Sequence, residues 1–244
     1  MINDIPQRFD EAFLHWFRER TEETWQKYQT RTFEEFVASR VGGSDWQQGT
    51  HWLGGLSEQE IATIEQRYHL CFPPDYRLFL QVLHSVDRPR VGARYSDDQT
   101  MIPTTAPSFY NWQTDTEAIQ RAYEWLVEGL FFDVQQNDLW PQSWGARPTT
   151  SEAQEARVRE LVNTAPKLIP VFIHRYLLAE PCEAGNPVLS IYQSDMIIYG
   201  DDLHSYFLAE FGDLAGGGRF GSSQPMPERW ETYQAIPFWG EFLS

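Results

Sequence analysis

Apolar residues fall along this chain at two spacings, and the change from one to the other organises it. Phe9, Phe13, Trp16 and Phe17 recur at helical intervals and predict an amphipathic helix over residues 7–20, continued through Trp25, Tyr28, Phe33 and Phe36. Residues 1–50 thus read as a helical N-terminal extension, and 41–55, rich in glycine and polar side chains, as a long loop. Ser57 and Glu60 match a capping box, in which the hydroxyl takes an orphan amide of the first turn and the carboxylate reaches back. Ile61, Ile64 and Tyr68 supply the buried stripe of the helix that starts there. Phe72-Pro73-Pro74-Asp75 ends it and opens another, since proline is tolerated in a first turn, with Tyr76, Phe79, Leu80 and Leu83 inward.

Residues 91–110 are mixed, with short extended stretches expected at 91–95 and 100–103. A helix over 115–129 turns Ala118, Ile119, Ala122, Trp125 and Leu126 inward and leaves Glu117, Glu124 and Glu128 on one face with Arg121. An aromatic, proline-punctuated stretch over 131–148 follows, and Ser151 with Gln154 suggests a second capping box for a helix to about residue 162.

The period then shortens to that of strands. Residues 168–178, 187–192 and 195–199 are β-branched and aromatic, with Gln193-Ser194-Asp195 as a turn. Apolar side chains on both faces, such as Val188 with Leu189 and Ile197 with Ile198, predict a sheet covered on both sides. Asp201 or Asp202 can cap a closing helix carrying Leu203, Tyr206, Phe207 and Phe211 inward. Residues 216–224 read as flexible, while Trp230, Tyr233, Phe238, Trp239 and Phe242 are too aromatic to stay in water, so the tail from 212 to 244 is expected to dock back.

Composition adds that the chain folds: of its 244 residues 15% are aromatic, including ten Trp and sixteen Phe. The formal net charge of −16 disfavours nucleic acid as a direct ligand, which needs a basic stripe, and suits a basic protein partner. Cys71 and Cys182 stand in no C-x-x-C arrangement, so neither a zinc site nor a disulfide framework is expected. With no signal-like start and no apolar run of membrane-span length, the expectation is a cytoplasmic protein with no membrane contact.

The better-specified phosphate, zinc, serine-hydrolase and calcium motifs are missing, and no cofactor or metal is expected. Gly216, Gly218 and Gly221 fit G-x-G-x-x-G in form, but they follow a helix rather than a strand and are not read as a dinucleotide site. His174, Arg175, Asn186, Gln193 and Asp195 form the main polar constellation, in which His174 oriented by Asp195 would make a base. The plainer reading is structural: His174 bonded within the sheet, Asn186 shaping the turn before Pro187, Asp195 closing the hairpin. For partner binding the candidates are the acidic Glu117, Glu124, Glu128, Asp97 and Asp98, with Trp112, Trp140 and Trp144 as exposed aromatic anchors.

Two blocks resemble the SUKH superfamily, which includes bacterial immunity proteins and the fungal Smi/Knr regulators of cell-wall synthesis. The first holds Leu56, Ile61, Ile64 and Glu65, then Phe72-Pro73-Pro74-Asp75-Tyr76 leading to Phe79-Leu80. The second holds Leu168-Ile169-Pro170, His174-Arg175-Tyr176, Gly185-Asn186-Pro187-Val188, Ser190 and residues 195–200 with Asp195 and Gly200, before Leu203, Tyr206 and Glu210-Phe211. The resemblance spans residues 51–211 and implies an α+β domain, helices packed on a central, largely antiparallel sheet, with a helical, aromatic-rich insert at about 110–166. It further implies binding rather than catalysis, bacterial members often neutralising a toxin effector, frequently a nuclease, encoded nearby. A regulatory or scaffolding role like that of the fungal members is the alternative, and an enzyme using His174 and Asp195 a third reading.

Overall fold

The computed structural model describes residues 5–106, 108–215 and 227–244. Its helices are α1 (Glu11–Gln26), α2 (Phe33–Ser39), α3 (Glu58–Tyr68), α4 (Pro74–Val82), α5 (Thr116–Gln136), α6 (Ser151–Thr164), α7 (Leu203–Phe211) and α8 (Trp230–Gln234). The strands are β1 (Gly43–Asp45), β2 (Arg90–Tyr95), β3 (Met101–Ala106), β4 (Leu168–Phe172), β5 (Arg175–Leu178), β6 (Val188–Tyr192) and β7 (Asp195–Gly200). They form two sheets, β1-β2-β3 and β4-β5-β6-β7, in which every strand pair is antiparallel. The fold is α+β as expected, with its strands divided between two sheets. Gly216, Gly218, Gly221 and the rest of the segment read as flexible lie outside the described residues.

Caps decide where helices begin. Ser57 Oγ accepts from Glu60 N while Glu60 accepts from Ser57 N, completing the box read in the sequence. In α6 the cap is Thr150 rather than Ser151, its hydroxyl accepting from Ala153 N, and Gln154 donates instead to Pro148 O at 2.8 Å. Asp202 caps α7, leaving Asp201 to accept from the Tyr233 hydroxyl.

Three segments depart from the periodic reading. α5 continues to Gln136 because Leu130, Asp133 and Val134 prolong its buried stripe. Residues 168–178 make two strands: Phe172 pairs with Arg175 across the turn Ile173-His174, where Ile173 takes φ 52°. A branched side chain is an outlier in that left-handed region, and no Gly, Asn or Asp marks the turn. The expected loop 41–55 contains β1, which pairs with β2.

Alternation along β5 explains how its sheet is covered. Successive side chains on a strand point to opposite faces. Arg175 reaches Glu210 of α7 (Nε to Oε2, 3.0 Å), whereas the Tyr176 hydroxyl donates to Ala122 O of α5 (2.8 Å). Helices α7 and α5 therefore cover opposite faces, which is why both sets of strand side chains are apolar. α1 shares the same core: Phe13 and Phe17 are buried, and Phe17 meets Phe207 edge to face at 5.0 Å. Burying each such ring is worth roughly 1.5–3 kcal/mol.

Cys71 and Cys182 are disulfide-bonded with Cα atoms 6.0 Å apart, correcting the expectation that they were unbridged. They tie the α3–α4 loop to the loop after β5. At the same junction Asp75 accepts from Gly185 N (2.9 Å), and Asn186 Nδ2 donates to Leu178 O (2.8 Å) and Pro181 O (2.7 Å). Burial raises the Asp75 carboxyl above the usual carboxylate range. Residues 227–244 lie against the sheet and α6 side: Trp239 Nε1 donates to Pro166 O (2.7 Å), Leu243 bridges Met196, and Phe238 stacks on Trp144.

Candidate functional site

Ala118, Arg121, Ala122 and Trp125 lie three and four residues apart and form one stripe along α5. Opposite it stand the turns of two hairpins, Ile173-His174 and Gln193-Ser194. Between them opens a cavity of about 440 Å³, walled by these α5 residues with Thr105, Ala106, Tyr110, Ile173, His174, Tyr176 and Tyr192. Two of its tyrosine hydroxyls are engaged with backbone carbonyls. The Tyr110 hydroxyl donates to Ile173 O (3.0 Å) and that of Tyr176 to Ala122 O, so mainly carbon faces the opening. Burial pushes the Tyr110 hydroxyl up to about 12 and Tyr176 higher still, keeping both neutral.

Large apolar surface stays in water at the mouth. Trp125 is 39%, Tyr192 55% and Ile173 37% exposed. Trp125 and Tyr192 meet edge to face with centroids 5.9 Å apart, bridging helix and hairpin. Two features hold the hairpin there. A Cβ on Gly129 would come within 3.1 Å of Gln193 Cα, so the absent side chain permits close approach, and Asp133 accepts from Ser194 N at 2.8 Å. Tyr192 is thereby set beside Trp125.

The predicted partner-binding residues sort unevenly around this site. Glu117 and Glu128 are exposed along α5, one turn from Arg121 and Trp125 respectively. Glu124 is exposed too, but Arg159 holds it at 2.8 Å. Asp97 and Asp98 are elsewhere, at the β2–β3 tip, where Asp98 accepts from Ser96 Oγ and Thr100 N and these bonds lower its pKa. That tip is five strand residues from Ala106 at the cavity, about 17 Å. Trp112 and Trp144 are not anchors: they are 0% and 2% exposed, Trp112 donating to the Tyr76 hydroxyl at 2.8 Å. Trp140 is half-buried and donates to Gly145 O. The exposed tryptophan is Trp125, which helical period alone had turned inward. Its position four residues after Arg121 was the signal that it belonged with the outer face.

The motif residues carry the scaffold. Pro73 precedes α4 and Pro74 opens it; Pro187 is buried just before β6. Arg175 is held by Glu210, by Ser190 Oγ (2.7 Å) and over the Tyr199 ring (3.9 Å). A Cβ on Gly200 would strike Tyr206, so glycine lets β7 run close under α7. His174 and Asp195 are not brought together: β6 separates β5 from β7, Asp195 pairs with Tyr192, and His174 Nε2 meets the Arg175 guanidinium. Burial and the Arg175 charge lower His174 to about 4, leaving it neutral but without a carboxylate to orient it.

Among the described residues no group of three or more His, Cys, Asp or Glu could hold a metal ion. Nor is any described helix long and apolar enough to cross a membrane. Compared with family models, curated proteins and solved structures, the chain matches none.

Proposed function

We propose that this protein is a non-catalytic protein-binding module, an immunity protein that neutralises a toxin effector by direct contact, as its resemblance to the SUKH superfamily implies. The observation that carries the reading is the open apolar cavity edged by Trp125, Tyr192 and Ile173. Exposed aromatics around a concave apolar surface are the groups that carry binding energy in protein interfaces. Glu117 and Glu128 beside them, on a chain of net charge −16, favour a basic partner such as a nuclease domain and speed its approach.

Immunity places the protein in the cytoplasm, where the effector acts. The Cys71–Cys182 bond is more typical of an oxidising compartment, and alkylation of thiols in intact cells before lysis distinguishes the two. The functional test is co-purification of the tagged chain with the product of the neighbouring gene, read by native mass spectrometry, alongside growth of cells expressing that product. A stoichiometric complex that restores growth is expected. Several weak partners with no rescue would replace immunity with the regulatory or scaffolding role.

A further inference from the structure

The apolar cavity has a polar neighbour. A second cavity of about 490 Å³ lies over the start of α5, and Thr105 and Ala118 line both. The two therefore make one cleft across the first turns of α5, bordered by β3, which among the described residues pairs with β2 alone. Pro103 lacks an N–H, so at that position β3 has no backbone donor to offer, whereas Thr105 at the cavity keeps its own.

Among the described residues the polar half contains a hydroxyl without a hydrogen-bond partner and a carboxylate without an ion-pair partner. Ser108 is 1% exposed, and among the described residues its Oγ has no hydrogen-bond partner. A buried hydroxyl left this way costs free energy until something bonds it. Among the described residues Asp115 accepts only from local groups, Asn111 N (2.9 Å) and Thr114 Oγ1 (3.2 Å), and faces no arginine or lysine in an ion pair. Asp87, by contrast, already has Arg88 at 3.0 Å.

We infer that this cleft receives one extended segment of the partner, bearing a large apolar side chain and, within a few residues, an arginine or lysine. The inference rests on the protein-binding reading and names the chemistry bound. The apolar side chain enters between Ile173, Trp125 and Tyr192; the cation lies against Asp115; the segment's backbone runs past Thr105 and bonds Ser108 Oγ. Charge selects this occupant over a second copy of the chain, because two bodies of net charge −16 repel.

A displayed library of random linear peptides, panned on the immobilised full-length chain, tests it. Enriched peptides are then synthesised and titrated calorimetrically against the parent, Asp115→Asn, Trp125→Ala and Ala118→Trp, with circular dichroism confirming each fold. The expected peptides pair an aromatic or branched aliphatic residue with a nearby Arg or Lys. Asp115→Asn keeps an oxygen for Asn111 N but loses the charge, and should weaken binding about tenfold and reduce its salt dependence. Ala118→Trp, which fills the junction of the two halves, should abolish binding, and exposed Trp125 serves if that variant does not fold. Enriched peptides without basic residues, or affinities unmoved by these substitutions, would overturn the inference. No enrichment while the toxin complex still forms would sink the segment and leave protein binding standing. Peptide binding that obeys the variants without any toxin complex would do the reverse to immunity.

Discussion

Asp133 of α5, only 3% exposed, accepts both the backbone N–H (2.8 Å) and the hydroxyl of Ser194 at the tip of the β6–β7 hairpin. One carboxylate thus joins the helix of the candidate site to the hairpin that supplies Tyr192. Replacing it by alanine would strand those donors and the Asn137 amide that also bonds it at 2.6 Å. Asp133→Ala should lower stability by about 2–4 kcal/mol in urea denaturation, since hydrogen bonds to a charged group are the stronger kind. A loss below about 0.5 kcal/mol would mean the hairpin is positioned by Gly129 packing alone.

Trp125 and Trp112 should behave oppositely. Trp125 is exposed beside the cavity, so Trp125→Ala should change stability by less than about 1 kcal/mol yet weaken partner binding by about 2 kcal/mol or more. Trp112 sits between Phe72 and Tyr68 (5.0 and 5.1 Å), and Trp112→Ala should cost about 3–5 kcal/mol of stability. Denaturation and calorimetric titration of both variants check the pair. An unchanged affinity for Trp125→Ala would move the binding face elsewhere.

The Cys71–Cys182 bond closes a loop over a sequence separation of 111, and loops of that size are the ones whose cross-linking most restricts the unfolded chain. The double variant Cys71→Ser, Cys182→Ser should lose about 2–5 kcal/mol. Thiol titration of the denatured, unreduced protein should find no free cysteine. Two titratable thiols in protein purified without reductant would show that the pair is not bonded in solution.

Acid should weaken the fold through two histidines. Burial lowers His84 to about 4, and burial with the neighbouring Arg175 does the same for His174, from an ordinary 6.5. Between those values the unfolded chain binds more protons than the folded one, so stability rises with pH there. This contribution is full above pH 6.5 and is lost as the pH falls toward 4. Asp45, lowered mainly by the Arg31 hydrogen bond, adds loss at more acid pH, while Asp75, raised by burial, opposes it. The denaturation midpoint should therefore be lower at pH 4.5 than at pH 7, with both imidazole resonances still neutral in the folded protein at pH 5.5. Rings that titrate near 6.5 would contradict their burial.

What the sequence alone determined is what depends on near neighbours. The Ser57–Glu60 box, the Pro73-Pro74 start of α4, the stripes of α1 and α3 and the Gln193-Ser194 turn were all legible, because a cap or a helical period is settled within a turn of chain. The two-sided burial of the four-stranded sheet was legible for the same reason, in consecutive apolar residues. Only the tertiary structure decided which large rings face water, since burial is set by what folds against a residue from far along the chain. Trp112 lost its exposure to Tyr76 and Phe72, Trp144 to the C-terminal Phe238 and Phe242, while Trp125 was left half in water, meeting the edge of the β6–β7 hairpin at Tyr192. The cleft itself needed β3, α5 and both hairpins in place, and one of those hairpins turns at Ile173, a residue whose local preference argues against turning at all.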